Sequence, residues 1–398
     1  MPRILRIINR LNLGGPTYNA AFLSAYLPQQ YETMLLAGMK DETEESSEFI
    51  VNKVGLKPVY ISTMKRELNL NADYHSYWRI REIIKEFQPD IVHTHAAKSG
   101  TLGRLAASHA GVPVIVHTFH GHVFHSYFGK VKTRLFLGVE RYLAKKSSAI
   151  IAISKSQKEE LVNQFQICKE EKIRVIPLGF DLERFRLNQE ILRKEFRTKY
   201  AIDNDTIAIG IIGRLVPVKN HTLFIQSVKQ LMGKTTRKFH AFIIGDGEER
   251  LRLEKLCQSE GILFNGLEEK NTNAILTFTS WIKEIEMALA GLDIVALTSF
   301  NEGTPVSLIE AQAAGKPIIS TNVGGVNDVV QADKSAFLVP SNDMQAFVDK
   351  MVMLLEDDDL RFKCSTYGWP FVKSNFQYQR LVDDMSCLYE KLLRNKSH

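Results

Sequence analysis

The feature that most constrains this chain is a rhythm: short apolar runs alternate with longer mixed segments, and the alternation is played through twice. In the first half, RILRII (Arg3 to Ile8), TMLLA, KPVYIS, DIVHTH (Asp90 to His95), VPVIVHTFH (Val112 to His120), AIIAIS (Ala149 to Ser154) and KIRVIPLG (Lys172 to Gly179) read as strands. Helical patterns such as DYHSYWRIREIIKEF lie between them, and Ser156 with Glu159 reads as a capping box opening another. After a charged, poorly periodic stretch from Glu183 to Asn204 the rhythm resumes with TIAIGIIGRL, HAFIIGDG, DIVALTSF and KPIISTN, and with weaker strands at ILFNG and AFLVP. Strands that alternate with helices give parallel sheets covered on both faces. The expected fold class is therefore α/β, with two doubly wound, Rossmann-like domains. The length of 398 residues agrees, being too great for one ordinary core. The expected boundaries are 1–182, 183–377 and a closing helical segment, 378–398, carrying YQRLVDDMSCLYEKLLRN.

Sheets of this kind bind ligands outside the carboxyl ends of their strands. The unusual residues collect there: Gly14-Gly15, His93, His95, His120-Gly121-His122, Gly179-Phe180-Asp181, Gly213-Arg214 with Lys219, Gly245-Asp246-Gly247, and Glu302. In LNLGGPTYNAAFL, Gly14 and Gly15 let the backbone approach a phosphate closely, although a glycine pair at a strand-helix turn also serves geometry alone. In GRLVPVKN, Arg214 and Lys219 are spaced to neutralise a diphosphate, the guanidinium by paired hydrogen bonds and the ammonium as a point charge. Two solvated loop cations would look the same. HTFHGHVFH is rich in histidine but lacks the H-x-x-x-H spacing of a helical metal site, so no metal is expected. His120, at a strand end, is placed to hydrogen-bond a sugar or tune a proton, while His117 is expected to pack inside the strand.

SFNEGTPVSLIEAQAAGKPII carries two acids, Glu302 and Glu310. Thr304 suits an N-cap, Pro305 the first helical position, and Gly315 with Pro317 the stop, which predicts a helix over 305–314. Glu310 then shares a stripe with Val306, Ile309 and Ala313 and is an acid on a face that ought to be buried. A buried carboxylate costs several kcal/mol unless something donates to it. A ligand hydroxyl is one such donor. The rise from the cap to Glu310 is roughly 9 Å at about 1.5 Å per residue, comparable to a nucleoside diphosphate carrying a sugar. The helix N-terminus would face its phosphates.

The formal charge of +6 is a mild excess spread along the chain, which gives little support to nucleic-acid binding and suits anionic small molecules or an anionic membrane surface. The segment YFGKVKTRLFLGVERYLAKK mixes Lys130, Lys132, Arg134, Arg141, Lys145 and Lys146 with Phe136, Leu137, Val139, Tyr142 and Leu143. It reads either as a membrane-surface helix or as an ordinary solvated one. Cys168, Cys257, Cys364 and Cys387 are far apart and suggest free thiols in a reducing compartment. MPRILRIINRLNLGG has no apolar stretch of the secretory type. The expectation is a cytoplasmic protein, in peripheral contact with the inner face of the membrane if the basic segment binds lipid.

Together these motifs are recognisable. Glu302 and Glu310 in the E-x7-E arrangement, GRLVPVKN, IIGDGEER, TNVGGVNDVV, TFHG and IPLGFDLERF make the sequence similar to the retaining glycosyltransferases of group 1, glycosyltransferase family four, with the GT-B fold. The resemblance spans nearly the whole chain and is strongest from Ile207 to Val330. It implies a retaining hexosyltransferase that moves a sugar from a nucleotide-sugar donor, commonly a UDP-sugar, to a hydroxyl of a glycan or lipid-linked acceptor in polysaccharide or cell-envelope synthesis. It assigns Arg214 and Lys219 to the diphosphate, Glu302 to the transferred sugar and nearby phosphate, and Glu310 to the ribose. The main chain at Gly303, Thr304 and Pro305 falls around phosphates and sugar, and His120 beside the anomeric centre; Gly14 and Gly15, from the glycine pair itself, are expected on the donor. It also implies that the last helix crosses back to the first domain; the two domains are expected to close on the donor about a hinge near Gly179 to Glu183. No cofactor or metal is implied. Pro16-Thr17 stands where many relatives have an acid, and IPLGF where IPNGV is usual, so the acceptor side departs from the pattern more than the donor side. A UDP-N-acetylglucosamine 2-epimerase shares the architecture, and a non-enzymatic sugar-nucleotide binding protein would share the pocket. The E-x7-E and G-R-L elements favour the transferase.

Overall fold

The structure is a computed structural model that describes residues 1–11, 15–39, 48–65, 67, 69–121, 130–267 and 271–396, with 130–132 as backbone only. Gly14 and His122 lie outside the described residues. The chain divides into two compact units, Met1–Phe180 with Phe376–His398, and Asp181–Asn375.

The first unit holds strands β1 (Arg3–Ile8), β2 (Glu32–Gly38), β3 (Val59–Ile61), β4 (Ile91–His95), β5 (Val114–Phe119), β6 (Ala149–Ala152) and β7 (Ile173–Val175), all parallel, in the order β3-β2-β1-β4-β5-β6-β7. β1 is an interior strand, with Ile4 opposite Thr33 on one side and Ile91 on the other. Its strands are near-continuous apolar runs because both faces are covered. On one face Ile80, Ile83, Ile84 and Phe87 of the helix Leu70–Phe87 pack with Ala106 and Ala107 against Leu5, Ile7 and Val92. On the other face the helix Tyr378–Arg394 lays Leu381, Val382, Met385, Leu388 and Tyr389, a helical stripe, over Ile4, Ile91, Val114 and Ile151. Its entry is stitched down, since Phe180 N–H donates to Phe376 O (2.8 Å) and Tyr378 N–H to Phe180 O (3.0 Å). Gly179 permits this approach: a Cβ there would stand 2.8 Å from Tyr378 Cα.

The second unit has β8 (Ile207–Ile212), β9 (Phe239–Ile244), β10 (Phe264–Asn265), β11 (Leu276–Ser280), β12 (Ile294–Leu297), β13 (Ile318–Thr321) and β14 (Ala336–Val339), also all parallel, in the order β10-β11-β9-β8-β12-β13-β14. Both units are thus doubly wound α/β sheets. Three local readings change. β11 is a strand that the sequence reading passed over. The stretch after Glu183 is ordered rather than aperiodic, with a helix at Gln189–Lys199. Its Phe196 is fully buried with its ring 5.0 Å from that of Phe242, and Arg193 and Arg197 grip Asp293 at 2.8 and 2.6 Å. The cap near Ser156 belongs to Ser154 instead, whose hydroxyl accepts from Gln157 N–H at 3.1 Å.

Candidate active site

In the second unit the strand order reverses beside β8, so the crevice between β8 and β12 is the place where a doubly wound sheet receives a ligand. The loop after β8 is held by its neighbour. Leu215 N–H donates to Asp246 O (3.0 Å), and a Cβ at Gly245, φ +143°, would lie 2.0 Å from Gly213 O. Arg214 projects from this fixed loop, exposed and without a side-chain partner among the described residues. The chain then makes a single 3-10 turn, Pro217–Lys219. Phe300 N–H donates to Val218 O (2.8 Å) and the Thr298 hydroxyl to Lys219 O (3.0 Å), which joins the loops after β8 and β12.

Across that junction Lys219 Nζ lies 2.6 Å from Glu302 Oε1, and the Ser299 hydroxyl donates to the same oxygen at 2.6 Å. The other carboxylate oxygen has no partner among the described residues, and an ammonium has three hydrogens of which this pair uses one. The loop after β13 closes from behind. Gly325 N–H donates to Glu302 O (3.0 Å), and a Cβ at Gly325 would fall 1.8 Å from Gly303 O, so only glycine fits.

The helix that follows runs Val306–Ala313, shorter than expected. Thr304 does not cap it. Pro305 takes the cap position with ψ 93°, outside helical space, and no side chain satisfies the first turn. Leu308 N–H donates to Pro305 O (3.1 Å), and the N–H groups of Val306 and Ser307, ahead of it in that turn, are left for an anion. Gly315, φ +69°, ends the helix as expected: its N–H donates to Gln312 O (3.1 Å) and that of Lys316 to Ala311 O (2.8 Å). Glu310 lies on the second turn with only 13% of its side chain exposed, with Arg184 Nη2 at 3.5 Å, and Arg184 Nη1 reaches Glu286 at 3.9 Å. Burial pushes the Glu310 carboxyl up to about 7, the Arg184 guanidinium opposing and the Glu286 carboxylate adding to the rise. Arg184 and Glu286 had no role in the sequence reading. Arg184 lies in the quoted IPLGFDLERF, but nothing local shows that its partner is an acid more than a hundred residues away.

In the first unit Gly15 opens the helix Gly15–Ala25, and what a Cβ would meet there is the end of the Leu178 side chain, at 2.6 Å. His120 follows β5, with its Nε2 2.8 Å from Nδ1 of His95 at the end of β4. Burial pushes His120 down to about 3. His117 is buried inside β5, with Nδ1 2.8 Å from the Thr94 hydroxyl. Among the described residues no cluster of histidine, cysteine and acid is disposed to hold a metal, and no helix is long and apolar enough to cross a membrane.

Two parallel seven-stranded units, one with cations, an acid and an uncapped helix end gathered at its switch point, define the GT-B class of glycosyltransferase fold. Solved structures of the same architecture include a glycosyltransferase from Rickettsia africae ESF-5 (TM-score 0.79, 20% identity, 99% of each chain). Another is Anabaena HepE in complex with UDP (TM-score 0.79, 18% identity, 98% of this chain and 100% of that one). The chain belongs to the group 1 glycosyltransferases: residues 193–369 match "Glycosyl transferases group 1" and residues 13–184 match "Glycosyltransferase Family 4". It is 30% identical over 344 residues, 86% of this chain and 85% of the relative, to the UDP-Gal:alpha-D-GlcNAc-diphosphoundecaprenol alpha-1,3-galactosyltransferase of Escherichia coli. The capsular polysaccharide biosynthesis glycosyltransferase CapM of Staphylococcus aureus is 27% identical over 84% of the chain and 85% of its own length.

Proposed function

We propose that the protein transfers a hexose from a UDP-sugar to a hydroxyl of a glycan or polyprenyl-diphosphate-linked acceptor, with retention at the anomeric carbon and without a metal. The observation that carries the reading is the Lys219–Glu302 pair at the β8/β12 switch point, flanked by Arg214 and the uncapped start of Val306–Ala313. Uridine as the base follows the names of the relatives.

As the bond from the anomeric carbon to phosphate breaks, its electron pair passes to the diphosphate. Lys219, Arg214 and the helix N–H groups stabilise that charge more as it grows. The acceptor hydroxyl forms the new bond on the same face and gives its proton to the departing phosphate oxygen. Glu302, through its open oxygen, holds a hydroxyl of the transferred sugar, and Glu310 accepts from the ribose. Neither acid is needed as a nucleophile. The face of the helix Lys130–Lys146 bearing exposed Arg134, Leu135, Tyr142, Lys145 and Lys146 supports contact with an anionic membrane, where a lipid-linked acceptor would be met.

UDP release from UDP-galactose and UDP-glucose, measured with and without undecaprenyl-diphosphate sugars, tests the reading. Acceptor-dependent release with an α-linked product supports it. Donor binding with neither transfer nor hydrolysis against any acceptor would make the chain a binding protein.

A further inference from the structure

β4 and β5 place His93, His95 and His117 in the interior of the first unit, and His120 follows at the end of β5. Their hydrogen-bond directions can be worked out from the one group that has no choice. Arg6, fully buried on β1, can only donate, and its Nη2 is 3.1 Å from the Tyr389 hydroxyl. The single hydrogen of Tyr389 is then best spent on His93 Nδ1, 2.6 Å away, so His93 carries its proton on Nε2 and donates to the Thr118 hydroxyl at 2.7 Å. His93 is a neutral ring with both nitrogens satisfied. His95 stacks on it with ring centroids 4.2 Å apart, and nothing in this stack offers a carboxylate to balance a second positive charge beside Arg6.

His95 and His120 are therefore both neutral, and the 2.8 Å between His95 Nδ1 and His120 Nε2 holds one hydrogen. The consequence is a rule. If His95 donates, its proton is on Nδ1, and His120, accepting at Nε2, also carries its proton on Nδ1. If His120 donates, both rings are protonated on Nε2. The two rings always share a tautomer. The nitrogens at the far ends, His95 Nε2 and His120 Nδ1, are buried and without a partner among the described residues, which is costly unless something arrives to meet them.

We propose that His95 is the positioning residue for His120: it fixes the ring in place and sets whether His120 Nδ1 meets a sugar hydroxyl as donor or as acceptor. The proposal rests on the reading of His120 as a sugar-facing residue, and adds a residue with no part in the donor site. His95 does not itself touch the reacting atoms.

The test uses the full-length protein with 15N-labelled histidine. The spectrum of the unaltered protein should show His95 and His120 neutral and in the same tautomer between pH 6 and 8; opposite tautomers overturn the proposal. His95→Phe keeps a flat ring and removes the bond, and should release His120 into a mixture of tautomers. His95→Asn, which keeps a hydrogen-bonding group near the Nδ1 position, should restore a single one. With the donor and acceptor found by the UDP-release assay, His95→Phe should lower kcat by about tenfold or more at a donor KM within about twofold, and His95→Asn should recover part of it. An unchanged His120 spectrum in a folded His95→Phe protein ends the proposal, as does a changed spectrum with kcat intact. Failure to find any transfer would count against the transferase reading, and the spectra would still decide the pairing.

Discussion

Lys219 and Glu302 form an ion pair of 2.6 Å between the two loops that border the switch point of the second unit. The pair neutralises a carboxylate that would otherwise repel a diphosphate, and aims an ammonium at the place where the diphosphate is expected. Lys219→Ala should therefore do two kinds of damage, removing an attraction and exposing a repulsion. Calorimetry should show UDP binding weaker by about 2–3 kcal/mol, the scale of hydrogen bonds to charged groups. Adding Glu302→Gln to Lys219→Ala should recover part of that loss. Glu302→Ala alone should spare UDP binding more than turnover. Additive losses in the double variant would show that the two residues do not act as a pair.

Turnover should survive EDTA. On the proposed reading, Arg214, Lys219 and the start of the helix Val306–Ala313 supply the positive charge that a divalent ion would supply elsewhere. An activity lost on chelation and restored by magnesium or manganese would overturn this account.

Glu310 gives a pH dependence whose sign can be worked out. Its folded carboxyl titrates at about 7 and the unfolded one near the ordinary 4.5, so between these values the folded state holds the extra proton. Unfolding free energy of the ligand-free protein should fall as pH rises from about 4.5 to 7, relative to Glu310→Gln, in which this dependence is absent. Affinity for UDP should move the other way, rising as the carboxylate forms and accepts ribose hydroxyls. The ratio of wild-type to Glu310→Gln affinities isolates this from titration of the phosphate itself. A flat ratio between pH 5.5 and 8 would remove Glu310 from the ribose.

The buried histidines act in the opposite sense. Burial, with the Arg6 charge adding for His93 and His95, holds these two and His117 well below 6.5, and burial takes His120 to about 3. The unfolded chain takes up these protons near the ordinary 6.5 and the folded chain does not, so their contribution is present above about 6.5 and is lost as pH falls through that value. Urea titrations should show stability declining from pH 6.5 towards 4, with a shallower slope in His95→Asn. Equal slopes would mean that His95 protonates in the folded state.

Much of this was legible in the chain because parallel strands buried on both faces announce themselves as apolar runs, as in IAIGII of β8. β11, LTFTS, was missed because Thr277 and Thr279 interrupt Leu276 and Phe278; Thr277 is acceptable inside because its hydroxyl meets His240 at 2.8 Å, a partner from β9. The helix Gln189–Lys199 was hidden by its charges, two of which answer to Asp293 far along the chain. Thr304 looked like a cap, but the proline after it carries an extended ψ and puts the threonine one position too early. The same limit applies in the site. Lys219 and Glu302 could be named singly from their motifs, whereas the Arg184–Glu310 contact and the His95–His120 hydrogen bond are products of topology.

One feature of the first unit bears on how the protein is made. One face of its sheet is fully covered only with the helix Tyr378–Arg394, whereas Asp181–Asn375 is an unbroken stretch of sequence. On the ribosome the strands carrying Arg6 and His93 emerge before the second unit and wait, with Ile4, Ile91 and Val114 lacking the cover of that helix, through its whole synthesis. The half translated earlier is thus the half finished last, and in that interval its partly covered apolar face is the part of the nascent chain that chaperones would hold.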